Sequence, residues 1–429
     1  MNTSNGYGAL PPAGRYRSSS SALPPTTAYT RLSCVGVVCA PAGSASASTA
    51  ADAAVRGIEA NGRECMRCCS QVRFRRRGYH RMSRAIVLDL DFPSFRPHPW
   101  LGSPHAQTLA TRLPRRALAR RAPRDEARRF RVDPTSEIVA FCRWHPQRRS
   151  APLAVLLHGL TGDATADYML GLAEKLAQCG FSTVRMNMRG CGGTEALSRS
   201  IYHAGLTEDL AAVVRSLHED DGVERIYLVG CSLGGGMVLR WIGELGRDSF
   251  PCVRGAAAIS PSVDLAASQH VLDTQTRCRV YRDFFLSGLK EQIRVRARLH
   301  PGLADPTALG AIRTLREFDR RYTGPLSRYG SVERYYAEAS ALPLVGAIRR
   351  STLVITAQDD PFIPFASFRD AAFDHNAWIR MLAPERGGHV AFIAAQVSEH
   401  RNWCDLDRHW AENRVAQFLH HLEQGERRP

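Results

Sequence analysis

At 429 residues, 44% hydrophobic and 23% charged, the chain can bury a sizeable core and lacks the compositional bias of a fibrous or wholly disordered protein. No stretch reaches the ~18 uninterrupted apolar residues of a membrane helix, the longest, 34–43, being broken by Pro41, so a helical membrane span is excluded. The net charge of +16 is almost all Arg, with only Lys175 and Lys290 as lysines, and half of it falls in the first 82 residues; no nucleic-acid partner is expected on that count alone.

Residues 1–81 are rich in Ser, Ala, Pro, Gly and Arg and carry no periodic apolar face, which predicts a disordered or spurious extension with Met82 as the expected true start. The apolar stretch 34–40 begins too far into the chain for a secretory signal, so a cytoplasmic location is expected. Twelve cysteines without even spacing suit reduced thiols. The Cys65, Cys68, Cys69 cluster has no second pair at zinc-finger spacing, so no metal and no cofactor are expected.

From residue 82 onward strand-like and helix-like patterns alternate. A hairpin is predicted over 129–132 and 137–144, joined by Asp133-Pro134-Thr135-Ser136. Then come a buried strand at 153–157, a helix at 168–179, a strand at 181–186, a helix at 207–219, a strand at 226–230 and a helix at 233–245. Strands at 256–259, 352–357 and 378–382 and a closing helix at 406–422 complete the series. This rhythm predicts an α/β fold, a mostly parallel central sheet with helices on both faces. About 90 helical, Arg-rich and aromatic residues between 260 and 351 are too many for a crossover and predict a helical cap at about 261–350 within a domain spanning 82–429.

The chemistry concentrates at predicted strand ends. Gly230-Cys231-Ser232-Leu233-Gly234 is a G-x-S-x-G string between a strand and a helix, the context a nucleophile elbow requires. There Ser232 would sit at a helix N-terminus, whose free N–H groups favour developing negative charge. Cys231, the rival nucleophile, is expected to point into the core. An oxyanion hole would pair the Leu233 N–H with the Leu160 N–H from His158-Gly159-Leu160-Thr161-Gly162, while His158 itself reads as structural. An acid and a His should follow in the order Ser, Asp, His. Asp359-Asp360-Pro361 and Gly387-Gly388-His389 each follow a predicted strand, and Asp360 is preferred to Asp359 because Pro364 lies four residues beyond it.

With Pro104-His105-Ala106-Gln107-Thr108, Met188-Arg189-Gly190-Cys191-Gly192-Gly193, Tyr202-His203-Ala204-Gly205, Phe318-Asp319 and Gly387-Gly388-His389-Val390 added, the sequence from about Met82 resembles the YheT-like hydrolases of the α/β-hydrolase superfamily. The resemblance implies a Ser232–Asp360–His389 triad and esterase-like action on acyl esters or lipids. Small-molecule acyl esters or lipids are thus the expected partners, with at most peripheral membrane contact. His105, Gln107, Arg189 and His203 lie in these strings and read as scaffold rather than substrate contacts. Acyl transfer to an alcohol by the same triad, or a catalytically silent binding protein of the same fold, are the competing readings.

Overall fold

The computed structural model describes residues 90–113, 115, 125–246, 250–400 and 403–426. The 1–81 extension, Met82 and the cysteine cluster at Cys65–Cys69 lie outside the described residues.

Glu126–Asp133 (β1) and Ser136–Arg143 (β2) form the antiparallel hairpin. The first strand begins three residues earlier than the pattern indicated: Glu126, Ala127 and Arg128 carry little apolar signal, yet pair in register with Cys142, Phe141 and Ala140. Arg129 and Arg131 remain exposed on this edge, the charged dress that discourages edge-to-edge association. Leu153–Leu157 (β3), Ser182–Met186 (β4) and Ile226–Cys231 (β5) are buried at every position, as strands covered on both faces must be. Val253–Ile259 (β6), Ser351–Ile355 (β7) and Ile379–Leu382 (β8) complete an eight-stranded sheet of order β1-β2-β4-β3-β5-β6-β7-β8. It is antiparallel at β1–β2 and β2–β4 and parallel elsewhere.

The two-residue repeat of the strands divides the core. Leu153, Val155 and Leu157 join one apolar cluster, whereas Ala154 and Leu156 join the cluster on the opposite face. Among the described residues ten α-helices surround the sheet or precede it: Pro104–Ala110 (α1), Asp167–Gln178 (α2), Thr207–Glu219 (α3), Leu233–Leu245 (α4), Leu265–Thr274 (α5), Arg279–Leu299 (α6), Leu315–Phe318 (α7), Val332–Ala339 (α8), Ala371–Asp374 (α9) and Trp410–Glu426 (α10). Helix α10 starts four residues later than the apolar pattern placed it. The Asn413 side chain reaches back to Leu406 N and to Asp407 O, and this polar bracket holds the preceding residues outside the helix.

Between β6 and β7, helices α5 to α8 add no strand to the sheet. Fully buried Arg296 of α6 ties this segment to the loop after β4, its guanidinium donating to Ser198 O at 2.9 Å and Arg189 O at 3.2 Å.

Candidate active site

Strand β5 sends Tyr227, Val229 and Cys231 into one core cluster and Ile226 and Leu228 into the other, so the Cys231 side chain is committed to the interior. Burial pushes its thiol pKa well up, which disarms it as a nucleophile. Ser232 breaks the strand at φ 55°, ψ −119°, a left-handed backbone uncommon for any residue but glycine, and α4 begins at once behind it. The flanking glycines are steric necessities. A Cβ on Gly230 would lie 2.2 Å from Gly234 O, and one on Gly234 would lie 2.4 Å from His158 O. Ser232 N donates to Ile259 O at 2.8 Å, and Ser232 O accepts from Gly236 N and Ser262 N at 3.0 and 3.2 Å, so the strained residue is tied to β6 and its following loop.

The loop after β8 carries His389, only 7% exposed. Its Nδ1 lies 2.7 Å from Asp360 Oδ2, and the other carboxylate oxygen accepts Phe362 N and Ile363 N at 3.1 and 3.0 Å. A carboxylate only accepts, so Nδ1 carries the proton and the neutral ring keeps its lone pair at Nε2. Asp359 points elsewhere: its Oδ1 accepts Gly388 N at 2.9 Å, and burial raises its pKa. The acid set against the imidazole is therefore Asp360.

Helix α1, almost 300 residues away in sequence, clamps this loop. His389 N donates to Thr108 Oγ1 at 3.0 Å, while Gln107 binds Ile393 through both O and N. Gly388, at φ 58°, has room for no Cβ, which would meet Pro104 O at 2.4 Å. Val390 N donates to Ser260 Oγ at 3.2 Å, one residue beyond the carbonyl that holds Ser232 N, and so joins the His389 loop to the elbow. Thr108 and Ser260 were not singled out in the sequence; the Pro104–Thr108 string was the available signal, but its partner lies too far along the chain to be inferred.

Ser232 opens onto a cavity of about 90 Å³ whose walls also include Leu160, Leu233 and Phe362. The Phe362 ring packs 4.0 Å, centroid to centroid, from the His389 imidazole, so one side chain borders both the cavity and the histidine. Leu160 sits in a turn closed by Gly162 N donating to Gly159 O at 3.1 Å, with Thr161 at φ 55°. Neighbouring donors are taken, Gly159 N by Tyr168 Oη and Thr161 N by Tyr202 Oη, both at 2.9 Å. The Leu160 and Leu233 N–H groups have no protein acceptor among the described residues. His158 is wholly buried: its Nδ1 meets Gly159 O at 2.8 Å, its Nε2 accepts Met188 N at 3.1 Å, and burial lowers its pKa.

Much of the remaining lining comes from the segment between β6 and β7, with Phe285 and Leu289 of α6, Leu315 of α7, and Tyr336 of α8, and Tyr202, His203 and Ile363 add to it from the sheet side. Asp319 also lines it. Burial pushes its pKa up to about 6 although Thr323 and Tyr336 hydroxyls donate to it at 2.6 and 2.7 Å. Of the four side chains read as scaffold, three are: His105 meets Tyr281 Oη at 3.0 Å, Gln107 holds Ile393, and Arg189 pairs with Asp209 at 2.5 Å. His203 differs. It lines the cavity, and burial, followed by nearby Arg328, lowers its pKa to about 3, so it stays neutral.

A family model described as the alpha/beta hydrolase fold matches residues 152–395. YheT of Escherichia coli (strain K12), given as an esterase, is 30% identical over 270 residues, covering 60% of this chain and 76% of that one. Phospholipase ABHD3 of Homo sapiens is 25% identical over 242 residues, 56% of this chain and 59% of that one. Medium-chain fatty acid ethyl ester synthase/esterase 2 of Saccharomyces cerevisiae is 27% identical over 292 residues, 62% of each chain. The present chain thus spans less than two thirds of the latter two. Among the described residues no helix is long and apolar enough to cross a membrane. With its sheet order, its elbow after β5 and a family match over more than half its length, the chain belongs to the alpha/beta hydrolase fold family and is YheT-like within it.

Proposed function

We propose that this chain is a serine hydrolase that cleaves carboxylic esters bearing an acyl chain through an acyl-Ser232 intermediate. The observation that carries the reading is a strained serine tied through one short loop to a buried Asp360–His389 pair. The His389 Nε2 lone pair takes the proton from Ser232 Oγ as the oxygen attacks the ester carbonyl carbon. The oxyanion that forms is received by Leu160 N–H and Leu233 N–H, donors that need not be freed from protein partners first. Collapse breaks the bond to the alkoxy oxygen, which leaves as the alcohol with the proton from His389. Water then repeats the sequence and releases the acid. Asp360 keeps the ring oriented and stabilises its charged form.

The apolar lining by Phe285, Leu289 and Leu315 suits an acyl group, and the names of the relatives, esterase and phospholipase, agree with ester cleavage. The yeast relative is named for synthesis as well as hydrolysis. An alcohol resolving the same acyl-enzyme is therefore the second reading, and added ethanol separates the two by the share of ethyl ester over free acid. The primary test is covalent labelling by a fluorophosphonate probe, with Ser232→Ala beside the parent. Labelling and ester hydrolysis are expected to vanish together in the variant; a folded parent that takes no label overturns the proposal.

A further inference from the structure

We propose that α1 and the first turns of α6 form a docking surface for an anionic lipid membrane, placed so that an acyl chain passes from the bilayer to the cavity along aromatic side chains. Single exposed apolar residues are ordinary on protein surfaces, but a contiguous set ringed by cations is not. Leu109, Leu113, Val280 and Phe284 are 54, 61, 72 and 44% exposed. They belong to two segments in direct contact. His105 of α1 meets Tyr281 of α6, with the rings stacked at 5.7 Å, and Arg112 lies over the Phe284 ring at 4.3 Å. Leu109 follows His105 by one helical turn, and Leu113 continues that line through a turn closed by its N–H on Ala110 O. Val280 and Phe284, four residues apart, present one stripe of α6.

The charge around this patch selects its partner. Arg112 lies over Phe284, Arg279 and Arg282 stand on α6 beside Val280 and Phe284, and exposed Arg277 comes two residues before that helix, while Asp283 on the same turn is shared by Arg279 and Arg282. Guanidinium groups beside aliphatic and aromatic side chains match lipid phosphates above acyl chains, whereas a nucleic acid would leave Leu113 and Val280 without a use. Continuity with the site supplies the second argument. Exposed Phe284 touches Phe285 at 5.6 Å, Phe285 touches Phe362 at 6.0 Å, and Phe362 lies against His389, while Phe285 itself lines the cavity. This row offers an acyl chain an apolar surface to follow from the patch to the cavity.

The inference rests on the proposed function only in taking an acyl ester as substrate, and its test reads binding rather than turnover, so either can fail without the other. The full chain is sedimented with vesicles of phosphatidylcholine alone and of phosphatidylcholine with phosphatidylglycerol, beside Leu113→Ser/Val280→Ser and Arg112→Gln/Arg277→Gln. Thermal melting checks that each variant is folded. The parent is expected to prefer the anionic vesicles, and the apolar double variant to lose about tenfold in partitioning. The arginine double variant should lose the preference for anionic lipid. A parent that ignores both vesicles overturns the proposal. So does an apolar variant that binds as the parent does, since binding would then come from basic residues elsewhere in the chain.

Discussion

The two walls of the cavity are held by different means. Among the described residues outside 261–350, six non-glycine residues take positive φ, and five of them, Thr161, Ser232, Ser260, Val390 and Phe392, lie in loops that follow strands, Phe250 being the exception. Between residues 261 and 350 no non-glycine residue does so, and the lining residues Tyr335 and Tyr336 are backed there by packed rings, with Tyr329 on Tyr335, Tyr335 on Tyr336, and Phe318 on Tyr322. The first wall stores strain and is overdetermined by hydrogen bonds, as the proposed triad would require. The second is shaped by side-chain volume, which can change without disturbing those atoms.

The comparison is broken most severely at glycine. Gly234→Ala places a Cβ 2.4 Å from His158 O and 2.7 Å from Leu157 O, backbone atoms that cannot step aside. A loss of about 3 kcal/mol or more is expected in denaturant titration, together with loss of fluorophosphonate labelling. Gly310→Ala, at an exposed turn of the 261–350 segment, meets nothing within 4 Å. It should be neutral or stabilise by about 0.4–1 kcal/mol. Equal effects at the two positions would show that the elbow glycine is no more constrained than an exposed turn.

A smaller effect comes from the buried charge of the second wall. The Asp319 pKa is raised to about 6 by burial first, with Asp273 acting in the same direction. Because the folded value lies above the unfolded one, the stabilising contribution is complete below about pH 4 and is lost as pH rises through about 6. Asp319→Asn removes the penalty of ionising the group in place. Its stability should match the parent near pH 4 and exceed it by roughly 2–3 kcal/mol at pH 8. Urea midpoints at the two pH values measure this; an Asn variant less stable at both would show that the carboxylate is needed there as an anion.

The sheet-side wall was legible in the sequence to the extent that its chemistry is local. The elbow needs small residues two before and two after Ser232, and a strand must end where a helix begins; both conditions are written within 20 residues. Asp360 stood out from Asp359 by the spacing to Pro364, which precedes the short helical turn Phe365–Phe368. The second wall was legible only as an interruption of the strand rhythm, because contacts such as Asp319 with Tyr336 and His203 with Tyr335 depend on how four helices fold back. The start of α10 was misplaced for a related reason: Leu406 continues the apolar period, but Asn413 turns the chain with polar bonds that the period does not record.

Thr108 is where long-range packing enters the chemistry of the first wall. Its hydroxyl donates to Pro104 O at 2.7 Å and so directs a lone pair at His389 N, which it receives at 3.0 Å. Thr108→Val keeps the volume and removes the acceptor, leaving a buried N–H unpaired at a cost of about 1–3 kcal/mol. The backbone under His389 can relieve that cost only by shifting, and a shift there moves Nε2 relative to Ser232. We therefore expect kcat to fall by about tenfold with KM little changed, while Thr108→Ser, which restores the acceptor, recovers most of the rate. A Val variant with normal kcat and only a lowered melting temperature would mean that α1 supports the His389 loop as scaffold and leaves the imidazole where the other bonds put it, those from Asp360 and, through Val390, from Ser260.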